Sequence, residues 1–215
     1  MILVPIALAA AASDLSGTWR MDVNIVSRAK VPVFGEIESA SISKVDVTIT
    51  RDGEGWRMRQ VVCASHVESR FARTTLPPAL LRSLPPREHP VLLDGSSFIA
   101  DPGPEALGWR GARFPTSAAD PNIFDQDGDG RPGVTVVVDV PLYGRGEIWL
   151  VQHAHSVYRG TVVSPDRIEG KVETVFLRQL TLGASAKMFE KGPESTPVPE
   201  RSTFVLTRAP AGGCP

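Results

Sequence analysis

The stretch that decides the fold class is residues 45–62, with the sequence VDVTITRDGEGWRMRQVV. Apolar and polar residues alternate over residues 45–50, and apolar residues recur over residues 56–62. A period of two is typical of strands with one buried face and one solvated face. The two glycines in residues 52–55 favour a tight turn between the two runs. The stretch therefore predicts a β-hairpin.

Further strands are predicted on both sides of this hairpin. Alternation over residues 19–25 indicates one before it, and residues 134–140, 146–159, 167–180 and 202–208 indicate four after it. Nineteen glycines and nineteen prolines favour turns and short strands over long helices. We therefore predict an all-β fold of about eight antiparallel strands, closed into a barrel or, as the alternative, folded into a β-sandwich.

Residues 65–133 interrupt the regular strands, because they are rich in proline and glycine. Within them, PPALLRSLPP at residues 77–86 predicts one short helix bracketed by prolines. A chain of 215 residues has room for one domain with a large core. We expect residues 13–215 to form a single β-barrel domain with an insertion at about residues 65–133.

The N-terminal residues 1–12 are apolar and end in alanines, like the core and cleavage site of a secretory signal, although no basic leader precedes them. This segment is too short to span a bilayer, which needs about 20 residues. We therefore expect cleavage after Ala12, a secreted or periplasmic location, and no transmembrane segment. In such an oxidising compartment Cys63 and Cys214 would most simply pair, the alternative being two unrelated thiols.

The sequence DQDGDG at residues 125–130 places three carboxylates at alternate positions of a glycine-containing turn. Ca²⁺ takes six to eight oxygen ligands, and such a turn can direct several of them at one centre. The alternative is a polar turn whose aspartates face solvent. The predicted ligands of a structural Ca²⁺ are Asp125, Asp127, Asp129 and the backbone carbonyl of Arg131, with a further ligand from Asp120, Asp139 or water.

This loop resembles the start of an EF-hand, with Gly130 at the position of the sharp bend. Position 12, where an EF-hand carries a bidentate glutamate, is Val136, and residues 134–140 have the pattern of a strand. The loop is therefore more similar to the strand-flanked calcium loops of FG-GAP and thrombospondin type 3 repeats. No histidine or nucleophile lies beside it in sequence, so its expected role is structural.

Gly17-Thr18-Trp19 opens the first predicted strand, and Arg208 lies near the end of the last one. These residues resemble the Gly-x-Trp motif and the closing arginine of lipocalins, and the chain resembles exported lipocalin-like bacterial proteins of unknown function. The resemblance implies an eight-stranded barrel, closed at one end by Trp19 with Arg208 stacked across its ring. It also implies binding of a hydrophobic small molecule. The Thr-Asp-Tyr segment of lipocalins is absent, and the calcium loop is foreign to that family.

His153 and His155 lie on one face of a predicted strand, together with Trp149, because alternate residues of a strand point the same way. Three roles stay open for this pair. In the first, the imidazoles contact a ligand inside the barrel. In the second, their hydrogen-bonding groups are satisfied by neighbouring residues or water, and in the third they bind Zn²⁺ or Cu²⁺. The third ligand of such a metal site would be His66, Glu147 or Glu173.

The remaining features argue against catalysis and against nucleic acid. The chain has no Gly-x-Ser-x-Gly, Cys-x-x-Cys or His-Glu-x-x-His motif, and its 23 basic and 24 acidic residues give a net charge of −1. We predict a non-enzymatic, exported binding protein for a hydrophobic small molecule, stabilised by structural calcium. The alternative is a structural or adhesion module with a filled core and a calcium-ordered loop, and a metal-dependent hydrolase built on the histidines ranks third.

Overall fold

The computed structural model describes residues 14–31, 35–141, 144–190, 195–210 and 214. The segment predicted as a signal, residues 1–12, lies outside the described residues. No helix within them is long and apolar enough to cross a membrane. The elements are β1 (Gly17–Val31), β2 (Gly35–Asp52), β3 (Gly55–Ser69), β4 (Arg73–Thr75), α1 (Pro78–Ser83), β5 (Arg87–Asp94), β6 (Ser97–Ala100), β7 (Pro104–Leu107), β8 (Val134–Val140), β9 (Gly144–Ser164), β10 (Arg167–Ala184), β11 (Ser195–Pro197) and β12 (Thr203–Arg208).

Eight of the strands form a closed ring in which each strand pairs antiparallel with the next. Around the ring the order is β1, β2, β3, β5, β6, β9, β10 and β12, and β12 returns to β1. The ring is not a regular barrel, because β5, β6 and β12 are short while the other strands continue beyond it. These continuations pair with β4, β7, β8 and β11. The all-β class is thus confirmed, with more strands than the eight expected.

The β2–β3 hairpin forms where the alternation predicts it. Val47 and Ile49 of β2 and Met58 of β3 are buried, while the polar residues between them point outward. Gly53 in the turn has a φ of +60°, which residues with a Cβ rarely adopt. Asp52 at the base of the turn accepts a hydrogen bond of 2.7 Å from the guanidinium of Arg57.

Large apolar side chains fill the interior of the ring. Gly160 and Gly170 face each other across β9 and β10, and a Cβ on Gly160 would collide with the ring of Phe204. The absence of a side chain at Gly160 therefore makes room for an aromatic ring, a Cβ at Gly170 would collide with the backbone of β9, and the interior is a packed core. The large, fully buried side chains of that core include those of Leu15, Trp19, Met21, Ile49, Met58, Phe98, Ile168, Phe204 and Leu206.

One end of the ring is closed by Trp19 and Arg208. The Trp19 indole is fully buried, and its N–H donates to the carbonyl of Leu15 at 3.0 Å. The Arg208 guanidinium lies 4.4 Å from the centre of the Trp19 ring, and it donates to the carbonyls of Ser16 at 2.7 Å and Asp14 at 3.0 Å. This is the stacking that the lipocalin resemblance implies, and it also fixes the segment that enters β1.

A disulfide joins Cys63 to Cys214, as predicted, with the two Cα atoms 4.9 Å apart. The register of β2 against β3 skips Cys63, so this residue is the extra one of a β-bulge. The bond ties the C-terminal tail to β3.

Residues 65–133 contribute more than the expected insertion. They include the β5–β6 hairpin, which supplies two strands of the ring. The short helix predicted between prolines is α1. The rest of the segment packs on β8 and β9 around a second, smaller core formed by Leu80, Val134, Val136 and Leu150.

Candidate functional site

His153 and His155 lie on the face of β9 that points away from the ring core. Tyr158, three residues after His155, packs against that core. The pairing of β9 with β6 and β7 has no register shift, so its side chains keep strict alternation between these positions. The histidines and Trp149 therefore share what we call the outer face of β9 and β10, and they do not line the ring interior.

Phe176 reaches the outer face because of a β-bulge in β10. The register of β10 against β9 skips Val175, whose side chain is 53% exposed. Val172, before the bulge, is fully buried in the ring core. Without the extra residue, Phe176 would lie on the same face of β10 as Val172 and would point into the ring core. Instead it pairs with His155, and its ring centre lies 4.7 Å from that of His153.

Two aromatic side chains from the loop after β7 cover His153. The ring centre of Trp109 lies 5.3 Å from that of His153 with the rings nearly perpendicular, and Phe114 lies at 6.5 Å with its ring nearly parallel. Trp109 is buried, and its indole N–H donates to the carbonyl of Gln152 at 3.0 Å. His153 is thus surrounded by aromatic rings, an arrangement in which edge-to-face contacts are favourable.

His155 contacts a carboxylate. Its Nε2 lies 2.7 Å from Oδ1 of Asp101, and the hydrogen bond with His155 lowers the pKa of Asp101 below its usual value. The pair orients the imidazole but brings no nucleophile with it.

The residues considered as a third metal ligand do not form a ligand group with His153 and His155. His66 faces Glu68 at 3.5 Å, Glu173 accepts a hydrogen bond from Arg159 at 2.8 Å, and Glu147 is exposed near the start of β9. Within the described part of the chain, no group of three possible ligands includes His153 or His155. The described residues therefore do not form the complete metal site around His153 and His155 that the hydrolase hypothesis requires.

The three aspartates of the DQDGDG loop converge. One carboxylate oxygen from each of Asp125, Asp127 and Asp129 lies within 4.8 Å of the others. The Asp125 carboxylate accepts backbone N–H bonds of 2.8 Å from both Gly128 and Gly130, so the loop curls around it. Both glycines have positive φ, as such a curl requires.

One carboxylate oxygen of Asp127 lacks a hydrogen-bond partner within the ranges that the structure describes. Its Oδ2 accepts the Thr135 N–H at 2.9 Å, whereas its Oδ1 is buried and has no partner among the described residues. Burial raises the pKa of Asp127, and the charges of Asp129 and Asp125 raise it further. A cation would satisfy the free oxygen and offset the repulsion. Carboxylate oxygens together with the Arg131 carbonyl are the donors that Ca²⁺ prefers, so the residues present fit this ion.

The two aspartates considered as further ligands have other positions. Asp120 accepts hydrogen bonds from the backbone and side-chain amides of Asn122, at 2.9 and 3.0 Å. Asp139 lies near the far end of β8, where it pairs with Arg73 on one side and Arg145 on the other. Water is therefore the simpler source of the remaining oxygen ligands in the predicted site.

Hydrogen bonds connect the DQDGDG loop to the aromatic side chains around His153. The Phe124 N–H donates to the Gly108 carbonyl at 3.1 Å, and the Gly108 N–H donates to Oε1 of Gln126 at 2.7 Å. Gly108 directly precedes Trp109, whose indole covers His153. The order of the loop and the placement of Trp109 are thus linked through two hydrogen bonds.

Trp149 provides a second connection. Its indole lies over Gly183, where a Cβ would collide with the ring, and the Arg131 guanidinium stacks on it at 4.8 Å. Arg131 is the residue whose carbonyl is the predicted calcium ligand, so the loop is anchored to the outer face by a side chain as well.

Sequence reasoning missed several residues of this region. Asp101, Trp109 and Phe114 come from a segment with no periodic pattern, and Phe176 depends on a bulge. A composition signal exists only for the aromatic residues, which stand out in a stretch rich in glycine and proline.

Comparison with known proteins finds no matching family model, no similar curated protein and no similar solved structure.

Proposed function

We propose that this chain is an exported, non-enzymatic structural or adhesion module that acts through its outer face, with a Ca²⁺ ion ordering the loop beside that face. The disulfide between Cys63 and Cys214 supports export, because such bonds form and persist in oxidising compartments. The calcium ion has a structural role in this proposal, and the partner binds elsewhere on the same surface.

The buried Oδ1 of Asp127 is the observation that carries the proposal. An unpartnered carboxylate oxygen next to two other carboxylates costs free energy, because burial and repulsion both disfavour the charge. A bound Ca²⁺ removes this cost. The loop that would gain order is the one that positions Trp109 and anchors to Trp149.

The packing of the ring favours surface action over carriage of a ligand inside it. Met21, Val23 and Met58, which point into the ring where such a ligand would lie, are buried among other side chains of the core. A surface cleft of about 710 Å³ lies outside the ring, between β1 and residues 196–200. The binding of a hydrophobic small molecule stays a prediction.

Thermal unfolding with chelator and then with added Ca²⁺ tests the role of the ion. Binding to the folded state alone stabilises by about 2.7 kcal/mol at a free concentration of 100 Kd. At about 2–4 °C per kcal/mol for a chain of this size, Tm should rise by about 5–11 °C.

Asp127→Asn should abolish this rise, because it keeps an oxygen for the Thr135 N–H but removes the charge. Asp120→Asn is the matched control, since Asp120 bonds only within its own turn among the described contacts, and it should keep the rise. A rise that persists in Asp127→Asn would place the ion elsewhere.

Native mass spectrometry of the purified protein separates the two functional readings. The surface module predicts the protein mass plus one Ca²⁺ that chelator removes. An additional organic mass retained through purification would contradict the surface reading and support a carrier.

A further inference from the structure

A histidine that plays no part in the outer face lies inside the ring. His89 of β5 is 4% exposed and pairs with Met58 of β3, which is fully buried, so both point into the core. Its Nδ1 lies 3.2 Å from the carbonyl of Pro90, and its Nε2 is buried without a partner in the described structure. The core therefore suits a neutral imidazole, whose single N–H can donate to the Pro90 carbonyl, and among the described residues it offers no acceptor for the second N–H of an imidazolium.

The groups around His89 oppose its protonation. Burial lowers the pKa of His89 below its usual value, and the charge of Arg87 on the same strand lowers it further. The Pro90 carbonyl and the more distant Asp101 act in the opposite direction without reversing the shift. From β9, Tyr158 faces the same end of the core as a neutral phenol, because burial raises its pKa to about 12.

The strand that carries His89 belongs to a part of the ring that is held by short hydrogen-bond ladders. The β5–β6 hairpin pairs with β3 through residues 87–91 and with β9 through residues 97–100, and the Ser96 carbonyl accepts one more hydrogen bond from Val162 of β9. Pro90 lies within the first of these ladders and has no N–H to donate. By contrast, β9 and β10 pair along nearly their whole length. Local opening is expected where hydrogen-bond ladders are short.

Arg87 holds this hairpin to the segment that follows it. Its guanidinium donates 2.6 Å hydrogen bonds to the carbonyls of both Pro102 and Gly103, and it lies 3.6 Å from Glu105 of β7. A positive charge on His89, two residues away, would repel the cation that holds the hairpin to the next segment.

We propose that the β5–β6 hairpin is an acid-opened flap over the ring core and that protonation of His89 is its trigger. At neutral pH the imidazole is uncharged and the hairpin seals the core. When the pH falls, the proton binds to the open form, in which the imidazole reaches water. The apolar inner face of the hairpin, formed by Val91, Phe98 and Ala100, is then exposed together with the core side chain Trp56. This inference does not depend on the calcium site or on the outer face.

The direction of the effect follows from proton linkage. A histidine whose pKa is lowered in the closed form binds fewer protons there than in the open form, where the usual value of about 6.5 applies. Stability of the closed form is therefore unaffected well above pH 6.5 and decreases as the pH falls below it. Within that window the equilibrium constant for opening should rise by up to about tenfold per pH unit, which is the limit for one proton.

Hydrogen exchange measured at pH 7.5 and pH 5.5, corrected for intrinsic exchange rates, tests the flap. Amides of residues 87–100 should lose protection by at least about fivefold at the lower pH, within the one-proton limit. The β2–β3 hairpin should lose much less. Equal loss throughout the chain, or none in residues 87–100, would overturn the proposal.

The variant His89→Leu has no titrating group and should keep its protection at pH 5.5. His66→Gln, which removes a half-buried histidine of β3 outside the flap, is the matched control and should lose protection as the unmodified protein does. If His89→Leu does not fold, NMR titration of the His89 ring in the unmodified protein provides the answer. A pKa at or above 6.5 in the closed form overturns the proposal, and a clearly lower one supports it.

Discussion

Replacing Arg208 by alanine should be one of the most damaging single changes outside the core. Besides stacking on Trp19, the guanidinium donates to the carbonyls of Ser16, Asp14 and Pro165 and lies 3.1 Å from Asp166. These contacts join the start of β1, the β9–β10 turn and the end of β12, which all meet at one end of the ring.

The magnitude follows from these contacts. Hydrogen bonds from a charged donor are worth about 1.5–3 kcal/mol each when buried, but the Arg208 side chain is 29% exposed and water can replace part of them. The stacking adds about 1 kcal/mol. A total of about 3 kcal/mol is expected, or a fall in Tm of about 6–12 °C for a chain of this size. Urea unfolding followed by circular dichroism measures the free energy, and calorimetry measures Tm.

Two further variants make the result specific to the geometry. Arg208→Lys keeps the charge but loses the planar fork, so it should retain less than half of the stabilisation. Arg201→Ala removes an exposed arginine that pairs with Glu38, where about 0–1 kcal/mol is at stake. If Arg208→Ala is no more destabilising than Arg201→Ala, the contact between Trp19 and Arg208 contributes nothing measurable to the free energy of unfolding, which would refute the prediction.

Two other predictions concern covalent and steric constraints. The double variant Cys63→Ser/Cys214→Ser should lose up to about 5 kcal/mol of unfolding free energy, because the bond joins residues 151 positions apart. Urea unfolding with and without reductant checks this, and an unmodified protein that is indifferent to reductant would contradict it. Gly183→Ala should cost about 1–3 kcal/mol and alter Trp149 fluorescence, because the new methyl group collides with the indole. Gly55→Ala has no such neighbour and serves as the control; equal behaviour of the two variants would argue against the packing of Trp149 on β10.

The sequence predicts best what is decided locally. The β2–β3 hairpin has its buried and exposed faces where alternation places them, because the turn residues and the strand period are both visible in one short stretch. The convergence of Asp125, Asp127 and Asp129 is local in the same sense, since their spacing and two positive-φ glycines suffice to bring them together.

Features that depend on distant partners were harder to predict. The role of β5 and β6 in the ring depends on pairing with β3 and β9, and the short apolar islands in residues 87–100 do not reveal it. The face shared by His153 and His155 was predicted, but not which side of the sheet it occupies. The cover by Trp109 comes from a residue more than forty positions away along the chain. The bulges at Cys63 and Val175 leave no mark in the hydrophobic pattern.

The single extra residue at Val175 has a consequence for how this protein can change over evolutionary time. It shifts the alternation of β10. Before the bulge the even-numbered Val172 points into the ring core, whereas after it the even-numbered Phe176 points to the outer face. A substitution at Phe176 therefore does not disturb the core in which Val172 and Ile168 are packed. The side chains on this part of the outer face can therefore vary while the ring core stays as it is, and deletion of Val175 would remove that independence by turning Phe176 into the core.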